Sequence, residues 1–461
     1  MTGTRKWVIT ALALAMMAAA CGGSGGATSA PSQSSAPGES TAPGTAEAPS
    51  SSTGVKIKVV DAGEAHGVAM QKLAPIFKEK TGIDVEVEIL PYDATYETET
   101  LTLSTGQSDI DVVVFDVIWT EQFNQNNWLL DLKPLSDDPN LPDLDLAGYV
   151  PGVIDAYHSR NGGVFGVPID FTAQLLAYRK DLFEEAGIAG PPKTWAEFAE
   201  YAKKLTKDTN GDGKVDQYGY VFHAGGADAA YSDWLVRMAG RELPAGQKEF
   251  LLNADLSAAA FDDNPYGVDA LQELMDVRAY APPGSVGFDY GESIQTFQEG
   301  SAAMYIDWQV TFGGFENAEE SAVAGKVGYA PAPYATSPHV YAGGWQMGIN
   351  AKSEHPKEAY QFLAWIGSDE GQKAMLEAGS PTAYRMVAFN DQAILDANPV
   401  VAATKAAFEQ GTTVGFPQVA TFVELQQEMF TQIQAALTDK SSAQDAIRKA
   451  AEGVDSVLSG Q

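Results

Sequence analysis

The sequence predicts an α/β protein with two lobes, and three observations support this fold class. Its 461 residues are too many for one ordinary hydrophobic core. Residues 55–115 alternate as strand, helix, strand, helix and strand, a pattern typical of a parallel sheet. Residues 112–115 form a continuous apolar run, as expected of a strand covered on both faces. Asp116 and Trp119 follow this run, at the strand end where open α/β sheets bind ligands.

The composition is that of a soluble globular protein, with 45% apolar and 20% charged residues. The formal net charge is −32, from 29 basic and 61 acidic side chains. This charge argues against nucleic acid and against an anionic membrane surface as partners, because both would repel the chain. It fits a secreted protein. Since Cys21 is the only cysteine, the sequence excludes disulfides and thiolate metal clusters in the body of the protein.

The start of the chain indicates an export signal. Arg5 and Lys6 are followed by an apolar stretch at residues 7–20, which is too short for a comfortable membrane span. Three alanines then precede Cys21 in a pattern that resembles a bacterial lipoprotein signal. That pattern prefers leucine where this chain has Ala18. We expect cleavage to leave Cys21 lipidated at the outer face of the cytoplasmic membrane; the alternative is a plain signal peptide with an incidental cysteine.

The next segment predicts a tether. With residues 1–20 as the signal peptide, residues 21–54 are rich in Gly, Ser, Ala, Thr and Pro and contain no aromatic side chain. Such a tract cannot bury a hydrophobic core, so we expect it to be flexible.

Helical patterns are clear in three later segments. Thr194 and Glu197 form a capping box ahead of an apolar stripe that includes Trp195, so we assign Trp195 to the core. Residues 418–437 and 441–458 have the periodicity of two amphipathic helices.

A loop rich in acidic residues matches the front of an EF-hand calcium loop, with a glycine at the turn position. The predicted metal site consists of Asp208, Asn210, Asp212, Lys214 and Asp216, of which Lys214 would contribute only its backbone carbonyl. The bidentate glutamate of the motif is replaced by Gly219. We expect one structural Ca²⁺ here and no organic cofactor; the alternative is an Asp/Asn/Gly-rich turn before the next strand.

A second apolar strand repeats the arrangement of the first. Residues 302–306 are followed by Asp307 and Trp308, again a carboxylate and a tryptophan. Further along, Trp345 follows two glycines that end at Gly344, where the backbone can bend sharply. We therefore predict a second set of ligand-binding groups that faces the first.

A resemblance to a known family rests on several segments and on their order. These are residues 73–82, 111–119, 166–187, 192–195, 208–219, 297–304 and 343–345. Together they resemble the extracellular solute-binding proteins of carbohydrate ABC importers, the class that includes maltose- and trehalose-binding proteins. The resemblance covers nearly everything from residue 55 to residue 458.

This resemblance implies a periplasmic-binding-protein-like fold of the class II type, in which hinge segments join two α/β lobes. The crossings would lie near Pro168, Gly344 and Arg385. The two lobes would consist of residues 55–168 with 346–385, and of residues 169–344 with 386–461. The implied function is that of a monomeric substrate-binding lipoprotein, which captures a mono- or oligosaccharide and delivers it to ABC permease subunits in the membrane. It implies no enzymatic activity.

The family's site, carried over position by position, falls in the first strand–helix loop, at strand ends in both lobes and at the crossings. The implied ligand-binding residues are Glu64, His66, Asp116, Trp119, Asp170, Tyr231, Trp234, Asp307, Trp308, Gly344, Trp345, Tyr384 and Arg385. Such side chains suit a sugar, because aromatic rings cover its C–H faces and charged groups form strong hydrogen bonds with its hydroxyl groups.

Two alternatives stay open. A secreted, calcium-bound glycoside hydrolase would also need paired carboxylates beside aromatic rings, and Asp116 and Asp307 are the candidates for that pair. The second alternative is an ABC binder of a non-sugar solute such as a polyamine, a peptide or iron. A polyamine would suit the negative charge, although surface solubility explains that charge equally well.

Overall fold

The computed structural model describes residues 54–63, 65–151, 153–154 and 163–460. The predicted signal peptide, the tether up to residue 53, Cys21 and Glu64 lie outside these residues. The described residues belong to one compact unit, Ser51–Gln461. In this part of the chain, no helix combines the length and the apolar character that a membrane crossing requires.

The described residues form strands and helices that alternate along much of the chain. The strands, β1 to β10 in chain order, are Lys56–Ala62, Asp84–Leu90, Val112–Asp116, Val167–Pro168, Gln174–Arg179, Met304–Trp308, Val327–Pro331, His339–Tyr341, Trp345–Ile349 and Thr412–Val414. The α-helices, α1 to α16 in chain order, are Ala65–Thr81, Tyr92–Thr105, Thr120–Gln125, Lys133–Ser136, Lys180–Glu185, Trp195–Leu205, Ala227–Ala239, Tyr266–Val277, Tyr290–Gln298, Pro356–Ile366, Asp369–Ala378, Met386–Asn390, Gln392–Ala397, Pro399–Gln410, Phe422–Leu437 and Ala443–Ser459.

The first lobe is built on a five-stranded sheet with the order β2–β1–β3–β9–β4. β1 pairs in parallel with β2 and β3, which confirms the parallel arrangement predicted for the first part of the chain. Every residue of the apolar run 112–115 is fully buried, as the sequence predicted. The sequence did not predict β9, which runs antiparallel between β3 and β4. Its register places Trp345 directly opposite Asp116.

Helices from two distant parts of the chain cover this sheet. α1 packs on β2, and α11 packs on α1. α10 packs on β9 and on α11. The first lobe is therefore completed by a segment that follows most of the second lobe in sequence.

The second lobe contains a three-stranded antiparallel sheet with the order β6–β5–β7. α14 packs on β7 and β5, and the C-terminal helices α15 and α16 pack on each other and on α7 and α8. α15 and α16 confirm the two amphipathic helices predicted for the tail. Thr194 caps α6 by accepting a hydrogen bond from the backbone N–H of Glu197 at 3.2 Å, and Trp195 is buried as predicted.

Two of the connections between the lobes are hydrogen-bonded to each other. Thr172 and Gly343 exchange backbone hydrogen bonds, each 3.1 Å long. The backbone N–H of Ile169 donates to the carbonyl oxygen of Trp345 at 2.9 Å. The two passages of the chain therefore run side by side, as hinge strands of a two-lobed protein do.

Candidate functional site

A cleft lies where the two sheets approach the crossing segments. Both lobes contribute to its walls. The lining residues are Tyr92, Asp116, Ile118, Thr172, Asp228, Tyr290, Trp308, Val310, Gly343, Gly344, Trp345, Phe416 and Gln426. A concave site that combines apolar rings with a few polar groups has the chemistry typical of a small-molecule site.

The wall from the first lobe is a cluster of aromatic rings. Trp345 lines the cleft, with its ring centroid 5.7 Å from that of Tyr92 in an edge-to-face arrangement. Trp119 lies behind both rings, 5.5 Å from Trp345 and 5.3 Å from Tyr92, and is almost fully buried. Trp119 was predicted to contact the ligand; the structure places it one layer deeper, where it supports the rings that line the cleft.

Trp308 forms part of the wall from the second lobe. Its indole N–H donates to the Oγ of the buried Ser232 at 2.9 Å, and its ring lies 6.0 Å from that of Phe416. A Cβ on Gly343 would lie 3.0 Å from the Trp308 ring and 2.9 Å from Thr172 Oγ1. Glycine at this position therefore leaves the space that the ring occupies. The next residue, Gly344, has a φ of 151°, which also favours glycine.

One carboxylate from each lobe lines the cleft. Asp116, at the end of β3, accepts a hydrogen bond from the Tyr92 hydroxyl at 3.1 Å. Asp228, in the first turn of α7, accepts one from the Gln426 amide at 2.8 Å and one from the Tyr290 hydroxyl. Burial raises the pKa of Asp116 well above its usual range, and the charge of Asp228 raises it further. Burial also raises the pKa of Asp228.

Asp307 does not line the cleft. It is fully buried, accepts hydrogen bonds from the Tyr305 hydroxyl and from the backbone N–H of Trp308 at 2.7 Å, and lies 3.8 Å from His223 Nε2. Burial raises the pKa of Asp307 to about 6. Adjacent strand residues point to opposite faces, so the position of Trp308 at the cleft directs Asp307 away from it. The carboxylate pair that faces the cleft is therefore Asp116 with Asp228, in place of the expected Asp116 with Asp307.

A buried cluster of Asp61, His66 and Asp170 packs against Trp345 on the side away from the cleft. His66 Nδ1 is 2.9 Å from Asp61 Oδ2, and the His66 ring is 5.2 Å from the Trp345 ring. Asp170 accepts a hydrogen bond from the backbone N–H of Trp345. Burial raises the pKa of Asp170 to about 7, and the nearby His66 opposes this rise. Both His66 and Asp170 were predicted to contact the ligand, but the structure buries them behind the cleft wall.

Four further predicted site residues lie away from the cleft lining, in packing and hinge contacts. Tyr231 is buried, and the indole N–H of Trp234 donates to the carbonyl oxygen of Gly267 at 2.8 Å. The Tyr384 hydroxyl donates to the carbonyl oxygen of Ile366 at 2.7 Å. Arg385 is neutralised by Asp369, 2.8 Å away, and by Asp145, while its guanidinium stacks on Tyr149. The prediction for Glu64 lies outside the described residues.

Several lining residues were missed at the sequence level. Tyr92 follows β2, so the strand-end rule that identified Asp116 would have identified it too. Asp228 follows a glycine pair at the start of α7, only three positions before the Tyr231 that was chosen. Gln426 and Tyr290 lie within helices whose polar faces carry no local pattern that distinguishes them.

The acidic loop after α6 folds onto its own backbone. Asp208 accepts hydrogen bonds from the N–H groups of Gly211 and Gly213, both at 2.7 Å. Asn210 and Asp212 accept from the N–H groups of Asp212 and Lys214, at 2.9 and 2.8 Å. Among the described residues, no group of three or more His, Cys, Asp or Glu side chains is arranged to hold a metal ion. The calcium site therefore stays a prediction.

Known proteins with similar sequences and structures agree with this architecture. A family model described as a bacterial extracellular solute-binding protein matches residues 61–373. A probable amino-acid ABC transporter periplasmic-binding protein of Sinorhizobium fredii is 27% identical over 84% of this chain and 85% of its own length.

Among solved structures, an ABC transporter solute-binding protein of Agrobacterium radiobacter K84 in complex with ribitol is 26% identical, with a TM-score of 0.77 over 88% of this chain and 99% of that one. Maltose-bound MalE3 of T. maritima is also 26% identical, with a TM-score of 0.75 over 88% of this chain and 100% of that one. These similarities confirm the predicted two-lobed α/β fold.

Proposed function

Because this chain belongs to the bacterial extracellular solute-binding proteins, we propose that it captures a sugar or a sugar alcohol and delivers it to the permease of an ABC importer. Its family works outside the cytoplasm and partners with ABC permeases. In this proposal, the lipid on Cys21 holds the protein at the outer face of the cytoplasmic membrane, and residues 21–54 let it move over the surface.

The observation that carries the proposal is the cleft itself, in which aromatic rings and hydrogen-bonding groups from two lobes face one another. Sugars and linear polyols present apolar C–H faces and polar hydroxyl edges. The rings of Trp345, Trp308 and Phe416 can pack against the C–H faces. Asp116 and Asp228 accept hydrogen bonds from hydroxyl groups, and charge-assisted hydrogen bonds are stronger than neutral ones.

The charge of the cleft argues against a free amino acid as the ligand. The α-carboxylate of an amino acid is bound in proteins by arginine, lysine or a set of N–H donors. The described residues that line this cleft include no arginine or lysine, and they do include two aspartates. A sugar or polyol has no carboxylate to repel, and the ribitol and maltose bound by the two similar structures belong to these ligand classes.

Binding and release would follow from lobe movement. The paired backbone segments at Thr172 and Gly343 form two of the passages between the lobes. Closure about these passages would bury the ligand between the rings and exclude water, and opening at the permease would release it. We propose that no bond of the sugar is broken during this cycle.

The test is a thermal-shift screen with a panel of hexoses, disaccharides and linear polyols, followed by calorimetry on those that stabilise the protein. Recovery of the bound ligand unchanged supports a transport protein, whereas hydrolysis of a bound disaccharide supports a glycoside hydrolase. If no member of the panel stabilises the protein, the proposal is contradicted.

Trp345→Ala provides the matched test of the cleft. If the ring is a stacking surface for the sugar, the truncation weakens binding by about 2 kcal/mol or more. Trp365→Ala is the control, because Trp365 packs on Phe77 in the same lobe and does not line the cleft. Equal affinities of the two variants would remove Trp345 from the site.

A further inference from the structure

Two carboxyl groups face the cleft, and no basic side chain of the described residues lines it beside them. Asp116 projects from the first lobe and Asp228 from the second. Among the described lining residues there is no lysine, arginine or histidine. The basic group nearest to the lining is His223, whose ring lies behind that of Tyr290 at 4.7 Å and which is 3.8 Å from the buried Asp307. Arg237 and Arg385 are buried elsewhere, in pairs with Asp233 and with Asp145 and Asp369.

The protein partners of the two carboxylates are neutral. Asp116 accepts hydrogen bonds from the Tyr92 hydroxyl at 3.1 Å and from the backbone N–H of Ile118 at 3.3 Å. Asp228 accepts from the Gln426 amide at 2.8 Å and from the Tyr290 hydroxyl. These donors orient the carboxylates without neutralising them. Both carboxyl groups line the same cleft, and the charge of Asp228 raises the pKa of Asp116, so they repel each other when both are ionised.

Aromatic rings surround the space next to the carboxylates. Tyr92 and Tyr290, one from each lobe, have ring centroids 6.5 Å apart. Trp308, Trp345 and Phe416 complete this set. The faces of such rings attract cations as well as C–H groups, and protein sites for ammonium ligands combine several of them.

We propose that the ligand carries a protonated amine, and that this ammonium group binds between Asp116 and Asp228. The inference rests on the proposed function and narrows it to an amino sugar or an amino polyol. The hydroxylated part of such a ligand would pack against the tryptophan rings.

The electrostatics favour an ammonium over a hydroxyl group at this position. Closing the lobes over a neutral ligand further desolvates two carboxylates of the same sign, which is costly. An ammonium group has three N–H donors, so it can bond to both carboxylates at once and offset their charge. By the same reasoning, sugar phosphates and sugar acids are excluded.

The experiment compares two matched ligand pairs by calorimetry at pH 7.5. The cyclic pair is D-glucosamine and D-glucose, and the linear pair is 1-amino-1-deoxy-D-glucitol and D-glucitol. In each pair the members differ by one amine in place of one hydroxyl group. We expect the amine of at least one pair to bind about 10-fold or more tightly than its hydroxyl partner.

Two variants test the assignment to the carboxylates. Asp228→Asn keeps the shape of the side chain and removes its charge, so the ratio of amine to hydroxyl affinity should fall toward one. Asp255→Asn removes a charge from an exposed residue that does not line the cleft and should keep the ratio close to that of the unmodified protein.

A pH series supplies a readout that does not depend on any variant. Burial raises the pKa of Asp116 and of Asp228; Asp170 raises that of Asp116 further, Asp93 raises that of Asp228, and His223 lowers that of Asp228. Protonation of the two carboxyl groups removes the charge that attracts the amine, so affinity for the amine should fall as the pH is lowered below 7.5. Affinity for the hydroxyl partner should change much less.

Hydroxyl members that bind as tightly as their amine partners would overturn the inference and leave the proposed function intact. Failure of both amines to bind, with a neutral sugar from the panel bound, would overturn it in the same way. If no sugar, polyol or amine binds, the proposed function itself fails.

Discussion

At the scale of single residues, the orientation of Trp308 depends on two neighbours, Ser232 and Gly343. Ser232 accepts the hydrogen bond of the indole N–H, and Gly343 leaves room for the far edge of the ring. A residue without a side chain thus shapes the wall of the cleft.

Gly343→Ala tests this role. The added Cβ would lie 3.0 Å from the Trp308 ring and 2.9 Å from Thr172 Oγ1, so one or both of these side chains must shift. We expect ligand affinity to fall by roughly 10-fold, which corresponds to about 1.4 kcal/mol, as measured by calorimetry. Gly190→Ala is the control, since a Cβ there meets no atom within 4 Å. Unchanged affinity in Gly343→Ala would show that the ring adjusts without cost.

Residue types alone predicted only part of the site. A carboxylate and a tryptophan after each buried strand were expected to bind the ligand together. In each lobe, however, only one of these two side chains lines the cleft. Asp116 lines the cleft while Trp119 lies behind it, and Trp308 lines the cleft while Asp307 lies behind it. Which member faces outward depends on the strand's orientation relative to the other lobe, and local sequence does not encode that orientation.

At the scale of elements, the acidic loop after α6 carries a separate prediction. If Asp208, Asn210, Asp212 and Asp216 bind Ca²⁺, millimolar Ca²⁺ should raise the melting temperature by a few degrees, because a ligand bound only by the folded state stabilises it. A chelator should reverse the shift, and Asp208→Ala should abolish it.

Asp255→Ala is the matched control, since this exposed aspartate also accepts hydrogen bonds within its own turn. An identical melting temperature with Ca²⁺ and with chelator would leave the loop as an Asx-rich turn.

Local patterns predicted the elements better than their pairing. The apolar run at 112–115, the cap at Thr194 and the two tail helices could all be predicted, because each depends on neighbours a few positions away. The insertion of β9 next to β3 could not, since it depends on a partner more than two hundred residues away in sequence. Length and alternation already predicted two α/β lobes, and the resemblance to a known family added the expected hinge segments between them.

At the scale of the whole molecule, many carboxyl groups are buried and have raised pKa values. Burial raises the pKa of Asp170 and Glu249 to about 7 and that of Asp307 to about 6. Burial also raises the pKa of Asp61 and Glu99, although His66 opposes the change at Asp61.

These groups predict an unusual pH dependence. Between pH 4 and pH 7 the folded protein binds more protons than the unfolded chain, so its stability falls as the pH rises through this range. We expect the free energy of unfolding, from denaturant titrations, to increase by about 1–3 kcal/mol from pH 8 to pH 5.5. Asp170→Asn should flatten the profile. A stability that rises steadily with pH would contradict the prediction.

The two lobes approach each other closely at Gly313. A Cβ at this position would lie 2.7 Å from the Cβ of Ala65 and 3.3 Å from the carbonyl oxygen of Gly379, both in the first lobe. Gly313→Val should therefore hold the lobes apart and weaken binding by 10-fold or more, although residue 313 does not line the cleft.

Small-angle scattering should show a larger radius of gyration for Gly313→Val with saturating ligand than for the unmodified protein. Gly287→Val is the control, because a Cβ there has no neighbour within 4 Å. A variant with unchanged affinity and radius would show that the contact does not limit closure.

The late position of β9 also has a consequence for how the chain is made. During synthesis, β1, β2 and β3 emerge long before the strand that covers the free side of β3. Until residues 345–349 appear, the nascent first lobe exposes an unpaired apolar edge, which invites aggregation. The early segment should therefore need a chaperone or a delay in folding, and a ribosome stalled before residue 345 should display a protease-sensitive first lobe.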